Sequence, residues 1–366
     1  MKKTLLFLAI TFLAVANAFS QASFNTGAIG VDVNEYGKIE LFNSGGIYQM
    51  WRTSILVGTS ETAVFDYQND AEQNEATALV ENPLLSDFEI YGAYDNTYSE
   101  LPPAVIVKLN AYGWNEGGFI IVKFNIMNNE ESAMVALAGL DIIPYIDEVD
   151  GYDTVSFNSE KQVIRFHRGI ETNTGIKLLS STLASLVSFE YYDDYYVDSD
   201  YWNWMNYGSV QPQYPSSSDA GSVSITSQAA VELAPGESFD VYYAMALGTN
   251  EQEMMTNMAA ADAKYVDLFV GIDETGLSGN EFSLAQNYPN PVRNTTTFSY
   301  QIPSEGPVSL KLYDATGNEV AVMVNAIQSA GTYSIPYKVE NLAGGVYFYK
   351  LEFNGQVRTS KMTLIR

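Results

Sequence analysis

Two acid-rich segments carry most of the chemistry this sequence could support. The first runs from Tyr191 to Tyr207. It interleaves Asp193, Asp194, Asp198 and Asp200 with Tyr191, Tyr192, Tyr195, Tyr196, Tyr201, Trp202, Trp204 and Tyr207. Aromatic faces pack on the C–H face of a sugar ring, and carboxylates accept its hydroxyl hydrogens. Tyr195, Tyr196, Trp202 and Trp204 are therefore candidates for a ligand surface, while the same run also fits a packed or interfacial aromatic cluster. Neighbouring carboxylates raise the further option of a glycosidase pair, which needs two carboxyl groups across one bond at about 5–10 Å. The second segment holds Asp141, Asp147, Glu148, Asp150 and Asp153, with Gly151 at a turn. Calcium takes about six to eight oxygens, often from such loops. The spacing Asp147-x-x-Asp150-Gly151-x-Asp153 departs from the EF-hand pattern. A solvated acidic loop is the leading expectation, and a calcium site at Asp147, Glu148, Asp150 and Asp153 the alternative.

Other chemistries are removed by composition. The 366 residues contain no Cys, so disulfides, thiolate zinc sites and Cys nucleophiles are absent. His167 is the one His, which rules out a multi-His metal site. It lies between Phe166 and Arg168 at a strand end, and no G-x-S-x-G elbow exists to pair with it, so no catalytic role is assigned to it. No phosphate-cradling or dinucleotide-binding glycine motif occurs, and no cofactor is required. Arg165 and Arg168 are rare cations in an acidic region, and pairing with carboxylates is their expected role. The net charge of −26 argues against nucleic-acid binding, which needs clustered cations.

The elements that must position these residues fall into two parts. Residues 1–18 read as a signal peptide: Lys2 and Lys3, an apolar run to Ala16, then Ala16-Asn17-Ala18, with cleavage after Ala18. The apolar run is too short to span a bilayer comfortably, and no later stretch is apolar enough, so no transmembrane segment is expected. Residues 19–279 hold 9 basic and 38 acidic residues, net −29, whereas residues 280–366 hold 7 and 6, net +1. Such a step marks a domain boundary, and the Gly-rich polar stretch at 271–283 reads as the linker. In the acidic part, 19–270, strands are predicted at 105–109, 118–126, 132–143, 163–166, 175–179, 186–192, 222–227 and 239–247. Many short strands over such a length predict one large antiparallel β-sandwich. Met254, Met255, Met258, Ala261, Tyr265, Leu268 and Phe269 recur at steps of three and four behind an Asn250 cap with Glu253 three residues on. They predict a closing helix over about 251–269 with a core-facing stripe.

After the linker come six strand candidates, at 295–302, 308–313, 319–324, 333–338, 346–353 and 357–365, separated by turn residues. They predict a small Ig-like β-sandwich at 284–366. Distinct motifs occur there in order. Asn287-Tyr288-Pro289-Asn290-Pro291 comes first. Tyr313-Asp314-Ala315-Thr316-Gly317 and Gly345-Val346-Tyr347 follow, and Lys361-Met362-Thr363-Leu364-Ile365-Arg366 ends the series. Residues 284–366 resemble the type A C-terminal sorting domain of the type IX secretion system of Bacteroidetes-type bacteria. Ile365-Arg366 stands where that family often ends on a second basic residue. The resemblance implies Tyr288, Pro289, Asn290, Pro291, Tyr313, Asp314, Gly317, Gly345, Tyr347, Lys361 and Arg366 as motif residues. It implies a type IX translocon and a surface sortase as partners, a cut in or near 271–283, and a protein secreted or held on the outer-membrane cell surface after periplasmic transit. Leu233 to Gly248 with the helix behind it, Ile55 to Thr59, Phe124 to Asn128 and Gly139 to Asp141 resemble β-sandwich modules of large secreted proteins from the same bacteria. No established activity attaches to that module.

The expected protein is all-β, a large sandwich followed by a small one. The larger domain is expected to be a non-catalytic module that binds a glycan, a cell-surface protein or calcium. The alternatives are a carbohydrate-active enzyme with paired carboxylates, which a concave aromatic cleft holding two carboxylates would favour, and a structural spacer, which predicts no concave site.

Overall fold

Along residues 105–111, Val105, Val107, Leu109 and Ala111 are buried and alternate with less buried Ile106, Lys108 and Asn110. That period of two makes a strand with one face in a core. The computed structural model describes residues 21–115, 117–169, 172–269 and 282–365, apart from 286, 288, 289, 291, 294, 315, 340 and 341. The signal peptide, nearly all of the linker, and Tyr288, Pro289, Pro291 and Arg366 lie outside the described residues.

The chain begins with β1 (Ala22–Asn25), β2 (Ile29–Val33), β3 (Ile39–Asn43), β4 (Tyr48–Ser60), β5 (Ala63–Phe65), β6 (Glu72–Leu79) and β7 (Phe88–Asp95). It continues with β8 (Val105–Gly113), β9 (Phe119–Asn128), β10 (Met134–Pro144), β11 (Thr154–Asn158), β12 (Val163–His167), β13 (Asn173–Leu178) and β14 (Leu183–Glu190). Helix α1 (Asp198–Met205), β15 (Gln213–Pro215), β16 (Ser222–Gln228), β17 (Val231–Leu233), β18 (Ser238–Gly248) and helix α2 (Glu251–Leu268) follow. Two nine-stranded antiparallel sheets result. One runs β1-β2-β3-β4-β10-β16-β14, with β5 on β4 and β17 on β10; the other runs β15-β11-β12-β13-β18-β9-β8-β7-β6. A single core lies between them, built from Val31, Leu41, Met50 and Leu140 of the first sheet and Val107, Phe124, Ile164 and Tyr243 of the second.

The first sheet is buried on its other face as well. Leu56, Leu137, Val223 and Ile225 point there and meet Tyr195, Tyr201 and Met205 from the segment that contains α1. Gly139 makes room on β10: a Cβ there would stand 1.7 Å from the Thr226 carbonyl oxygen. Helix α2 buries Met254, Met258 and Ala261. The Asn250 side chain accepts the Glu253 N–H at 3.0 Å, and Glu253 reaches back to the Thr249 N–H at 2.9 Å. These reciprocal bonds satisfy donors at the helix start.

The chain divides into two compact units after Asp262, inside α2. The second unit contains β19 (Ser283–Leu284), β20 (Thr295–Ile302), β21 (Gly306–Asp314), β22 (Glu319–Gln328), β23 (Gly331–Lys338), β24 (Gly345–Phe353) and β25 (Gln356–Leu364). They form sheets β19-β20-β23 and β22-β21-β24-β25 around a core that includes Phe298, Leu310, Tyr349, Leu351 and Met362.

Candidate functional site

The site is built where β4 and β10 run side by side. Met50 faces the inter-sheet core, as do Ile55 and Val57 further along, so the inward parity changes between them. The register shifts at the same place: Arg52 pairs with Ile143 and Met50 with Pro144. A bulge of this kind re-aims side chains. Here both Trp51 and Arg52 line a single cleft of about 610 Å³ on the outer face of the sheet, together with Ile143, Tyr145, Asp150, Tyr191, Asp219 and Ala220.

Arg52 is 6% exposed. Its Nη1 donates to Asp141 Oδ2 at 2.7 Å and to the Tyr195 hydroxyl at 2.7 Å. Asp141, fully buried, also accepts from the Tyr195 hydroxyl at 2.8 Å and the Tyr201 hydroxyl at 2.9 Å. Burial works to lower the guanidinium's pKa, and the Asp141 charge outweighs it and raises it. Burial, then the Asp141 charge, pushes the Tyr195 phenol upward, so it stays a donor. The Arg52 Nε has no partner, and Nη2 forms no hydrogen bond to a described residue. Trp51, by contrast, is 47% exposed. It meets the edge of Tyr145 at 5.8 Å between ring centres and carries Lys38 Nζ at 4.4 Å from its own.

Three loops supply the remaining walls, and carboxylates that accept hydrogen bonds fix two of them. In the loop after β10, Asp147, Glu148 and Tyr152 adopt positive φ of 54°, 58° and 52°. Such strain persists only where the surroundings enforce it. Gln49 grips Asp147 twice, donating to Oδ1 at 2.8 Å and accepting the backbone N–H at 3.1 Å, and Thr172 donates to the same Oδ1 at 2.9 Å. Glu148 accepts from the Tyr48 N–H. Arg168 donates to the carbonyls of Val149 and Gly151. Gly151 (φ +70°) has no space for a side chain, since a Cβ would stand 2.2 Å from the Ser218 carbonyl of the second loop. The two loops are joined by Tyr152 N–H to Ser218 O at 2.9 Å and Ser216 N–H to Asp153 O at 2.8 Å. Asp153 accepts from the Ser222 N–H and hydroxyl. Glu190 accepts from the hydroxyls of Ser216, Ser217 and Ser218 and from the Ser217 N–H. Burial works against the charge of Glu190, and these bonds outweigh it, holding the carboxyl below its usual range.

The acidic segment is therefore taken apart by the fold. Asp141 sits in the network under α1, Asp153 is buried against Ser222, and Asp147 and Glu148 bind protein donors; Asp150 is exposed at the cleft. Among the described residues no three His, Cys, Asp or Glu side chains approach closely enough to hold a metal ion. The aromatic segment is mostly packed. Tyr195 is fully buried, Trp204 stacks on Phe189 at 4.2 Å, and Tyr196 and Trp202 are half-buried against the same cluster. Tyr191 is the one member that lines the cleft. His167 is half-buried on β12, and its pKa is lowered by burial and by Arg165. Arg165 pairs with Glu251 at 2.7 Å, whereas Arg168 binds carbonyls in place of carboxylates. Trp51, Arg52, Tyr145 and Asp219 carry no sequence motif. Arg52 meets its partners 89 and 143 positions away.

In the second unit the motif residues build turns and ties. Asp314 accepts from the N–H and hydroxyl of Thr316 and from the N–H and side-chain amide of Asn318, which with Gly317 at φ +87° shapes the β21–β22 turn. These bonds hold its carboxyl down at about 2. Asn290 donates to Lys361 O at 3.1 Å and accepts from the Thr363 N–H at 2.8 Å, tying its segment to β25. The Tyr347 hydroxyl donates to Ala343 O, and Tyr313 lies opposite Phe348. Gly345 opens β24 at φ +151°.

Comparison with known proteins assigns this second unit. Residues 286–365 match the secretion system C-terminal sorting domain. This is the type IX sorting domain, and it implies secretion or cell-surface export. No curated protein matches the chain in sequence. Among solved structures, a bacterial glucoamylase complexed with acarbose is similar at a TM-score of 0.52 and 11% identity, over 69% of this chain and 36% of that one. A putative aldose 1-epimerase from Escherichia coli K12 matches at a TM-score of 0.37 and 9% identity, over 63% and 99%. The chain thus spans about a third of the glucoamylase, and that likeness is one of fold. Among the described residues no helix is long and apolar enough to cross a membrane.

Proposed function

We propose that the first unit is an exported, non-catalytic module that binds a glycan in the cleft beside Trp51 and Arg52. The observation that carries this reading is the cleft's composition. Trp51, Tyr145 and Tyr191 offer apolar ring faces, a buried guanidinium offers donors, and Asp150 and Asp219 offer acceptors. Sugar rings need those three kinds of group together. The sandwich shared with a glucoamylase is compatible with the reading and adds no activity to it, since folds host many functions. The sorting tail supports export of the module to where glycans are met; sortase removal of the tail and attachment to the surface belong to the same proposal.

One observation favours a second reading: two carboxylates share a concave, aromatic-lined site, as a glycosidase requires. A glycosidase acid must keep its proton near neutral pH, which burial normally provides. Asp150 and Asp219 are both exposed, so binding is preferred. A glycan array and titration calorimetry on the full chain, with Trp51→Ala alongside, test the proposal. Binding that falls at least tenfold in Trp51→Ala is expected. No binding to any glycan, or binding indifferent to Trp51, overturns it. Release of reducing sugar from a bound glycan, abolished in Asp150→Asn or Asp219→Asn, replaces it with the enzyme reading.

A further inference from the structure

We infer that the cleft selects uncharged sugar rings and rejects uronate-containing or sulfated ones, with Arg52 donating to a ring or hydroxyl oxygen of the ligand. This rests on the glycan reading above and narrows it to a ligand class. A buried arginine lining a cleft ordinarily signals an anionic ligand. Here its charge already has a partner. Asp141 stands 2.7 Å from Nη1, has no exposure of its own, and is fixed by two phenol donors. The guanidinium therefore offers N–H donors with little uncompensated charge, and Nη2 is the donor without a bond to a described residue.

The rim acts in the same direction. Asp150 and Asp219 line the opening and are exposed. Asp147 and Glu148 lie in the loop that presents Asp150. Arg168, which reaches that loop from the end of β12, is turned onto backbone carbonyls. Lys38, which lies over the Trp51 ring, is bonded to Glu40 at 2.7 Å. Residues 19–279 as a whole carry −29. A polyanion approaching this mouth meets like charge before it meets Arg52, and little unbalanced positive charge when it arrives. A cationic sugar is drawn to the rim, but its ammonium group meets only N–H donors at Arg52 and no acceptor. An uncharged ring satisfies both levels, with hydroxyl hydrogens to Asp150 and Asp219 and a hydroxyl or ring oxygen to Arg52.

Titration calorimetry on the full chain compares uncharged gluco-, manno- and galacto-oligosaccharides with oligogalacturonate and sulfated galactan, at about 20 mM and 300 mM NaCl, screening lengths of roughly 20 and 6 Å. An uncharged oligosaccharide is expected to bind at least tenfold more tightly than either acidic probe, with less than a twofold change between the two salts. Arg52→Lys keeps a charge for Asp141 and removes the fork of donors; it is expected to lose at least tenfold in affinity. Asp150→Asn/Asp219→Asn alters only exposed side chains. It is expected to improve binding of the acidic probes at least fivefold at low salt, and it decides the matter if Arg52→Lys does not fold. Acidic probes that bind as well as uncharged ones overturn the inference and leave the glycan reading standing. So does Arg52→Lys binding within twofold of the parent, or a double variant no better at binding acidic probes. If no probe of either kind binds, the glycan reading itself falls and this inference with it.

Discussion

Replacing Asp141 by Asn tests whether the buried pair under α1 holds the cleft. The substitution keeps the volume of the side chain, so no cavity term enters. It removes the charge that faces Arg52 at 2.7 Å and that accepts from Tyr195 and Tyr201. Each hydrogen bond to a charged group contributes about 1.5–3 kcal/mol, and breaking a buried pair costs about 3–5 kcal/mol because the surviving ion is left in the interior. A loss near 4 kcal/mol is therefore expected for Asp141→Asn. Arg52→Met alone should cost a similar amount at neutral pH. The double variant leaves no buried ion, and should lose at least about 2 kcal/mol less than the two single losses combined. The assay is denaturant unfolding of the full chain followed by tryptophan fluorescence. The four Trp residues, at 51, 114, 202 and 204, all precede residue 263, so the signal reports the first unit alone. A loss below about 1 kcal/mol for Asp141→Asn, or a coupling below about 0.5 kcal/mol, refutes the assignment of Asp141 as the anchor of the site.

Three further outcomes are expected. Asp66 is buried, and burial together with nearby Asp70 raises its carboxyl to about 7 against the N–H donors of Gln68 and Asn69. The unfolded carboxyl titrates near 3.9, so the folded state holds the proton more tightly between the two values. Its contribution is complete below about pH 4 and is lost as pH rises through 7, by at most about 4 kcal/mol; Asp66→Asn should flatten that slope in melts from pH 4 to 8. Gly139→Ala should abolish the soluble first unit, because the new methyl would stand 1.7 Å from the Thr226 carbonyl; a normal yield with a melting point within 2 °C, for which about 1 kcal/mol is the equivalent in a large domain, refutes the close approach. Asp314→Ala removes the acceptor for four turn bonds in the sorting unit. It should leave the protein in the periplasm by cell fractionation, and normal export would show that the turn is not part of the address.

What could be read from the sequence depended on whether a residue's partners were close in the chain. The predicted strands of the sorting unit each overlap an observed strand, because Asp314, Gly317 and Gly345 shape turns from neighbours a few positions away. In the larger unit the eight predicted strands are present and α2 spans Glu251–Leu268 as its stripe required. The strands before residue 100 left no comparable signal. On β4 both faces are buried, one against the core and one against α1, so polar–apolar alternation disappears. On β6 one residue in eight is buried, and its Glu, Gln and Asn residues resemble a loop. Helix α1 is only eight residues long and begins with Asp198-Ser199-Asp200, types that favour caps and turns over helix interiors. It forms because Tyr201 and Met205 find the face of a sheet. The cleft was invisible for the same reason. Its Trp, Arg, Tyr and Asp residues come from one bulged strand and three separate loops.

The acids of this unit act chiefly as acceptors that fix loops, and Glu190 gives the clearest test of that view. A chain with no Cys cannot staple its loops with disulfides, and the 216–221 loop carries Asp219 to the rim of the cleft. Glu190 closes on three consecutive serines there, each donating a hydroxyl. Most of its surroundings are open to solvent, so the effect on global stability should be small, since exposed charges are screened. The effect on the loop should be large, because local opening depends on local bonds. Glu190→Ala is expected to leave the fluorescence-detected melting point almost unchanged and to raise cleavage within 216–221 by a broad-specificity protease at least fivefold, read by mass spectrometry. Glycan affinity should fall with it, as Asp219 loses its fixed position. Its folded pKa is depressed, so the clamp holds above the ordinary carboxyl range and weakens as pH falls through it. The parent protein should then show the same rise in loop cleavage on acidification when probed with an acid-stable protease. A loop that stays equally resistant in Glu190→Ala and at low pH would mean that the backbone bonds to Asp153 and Tyr152 suffice alone.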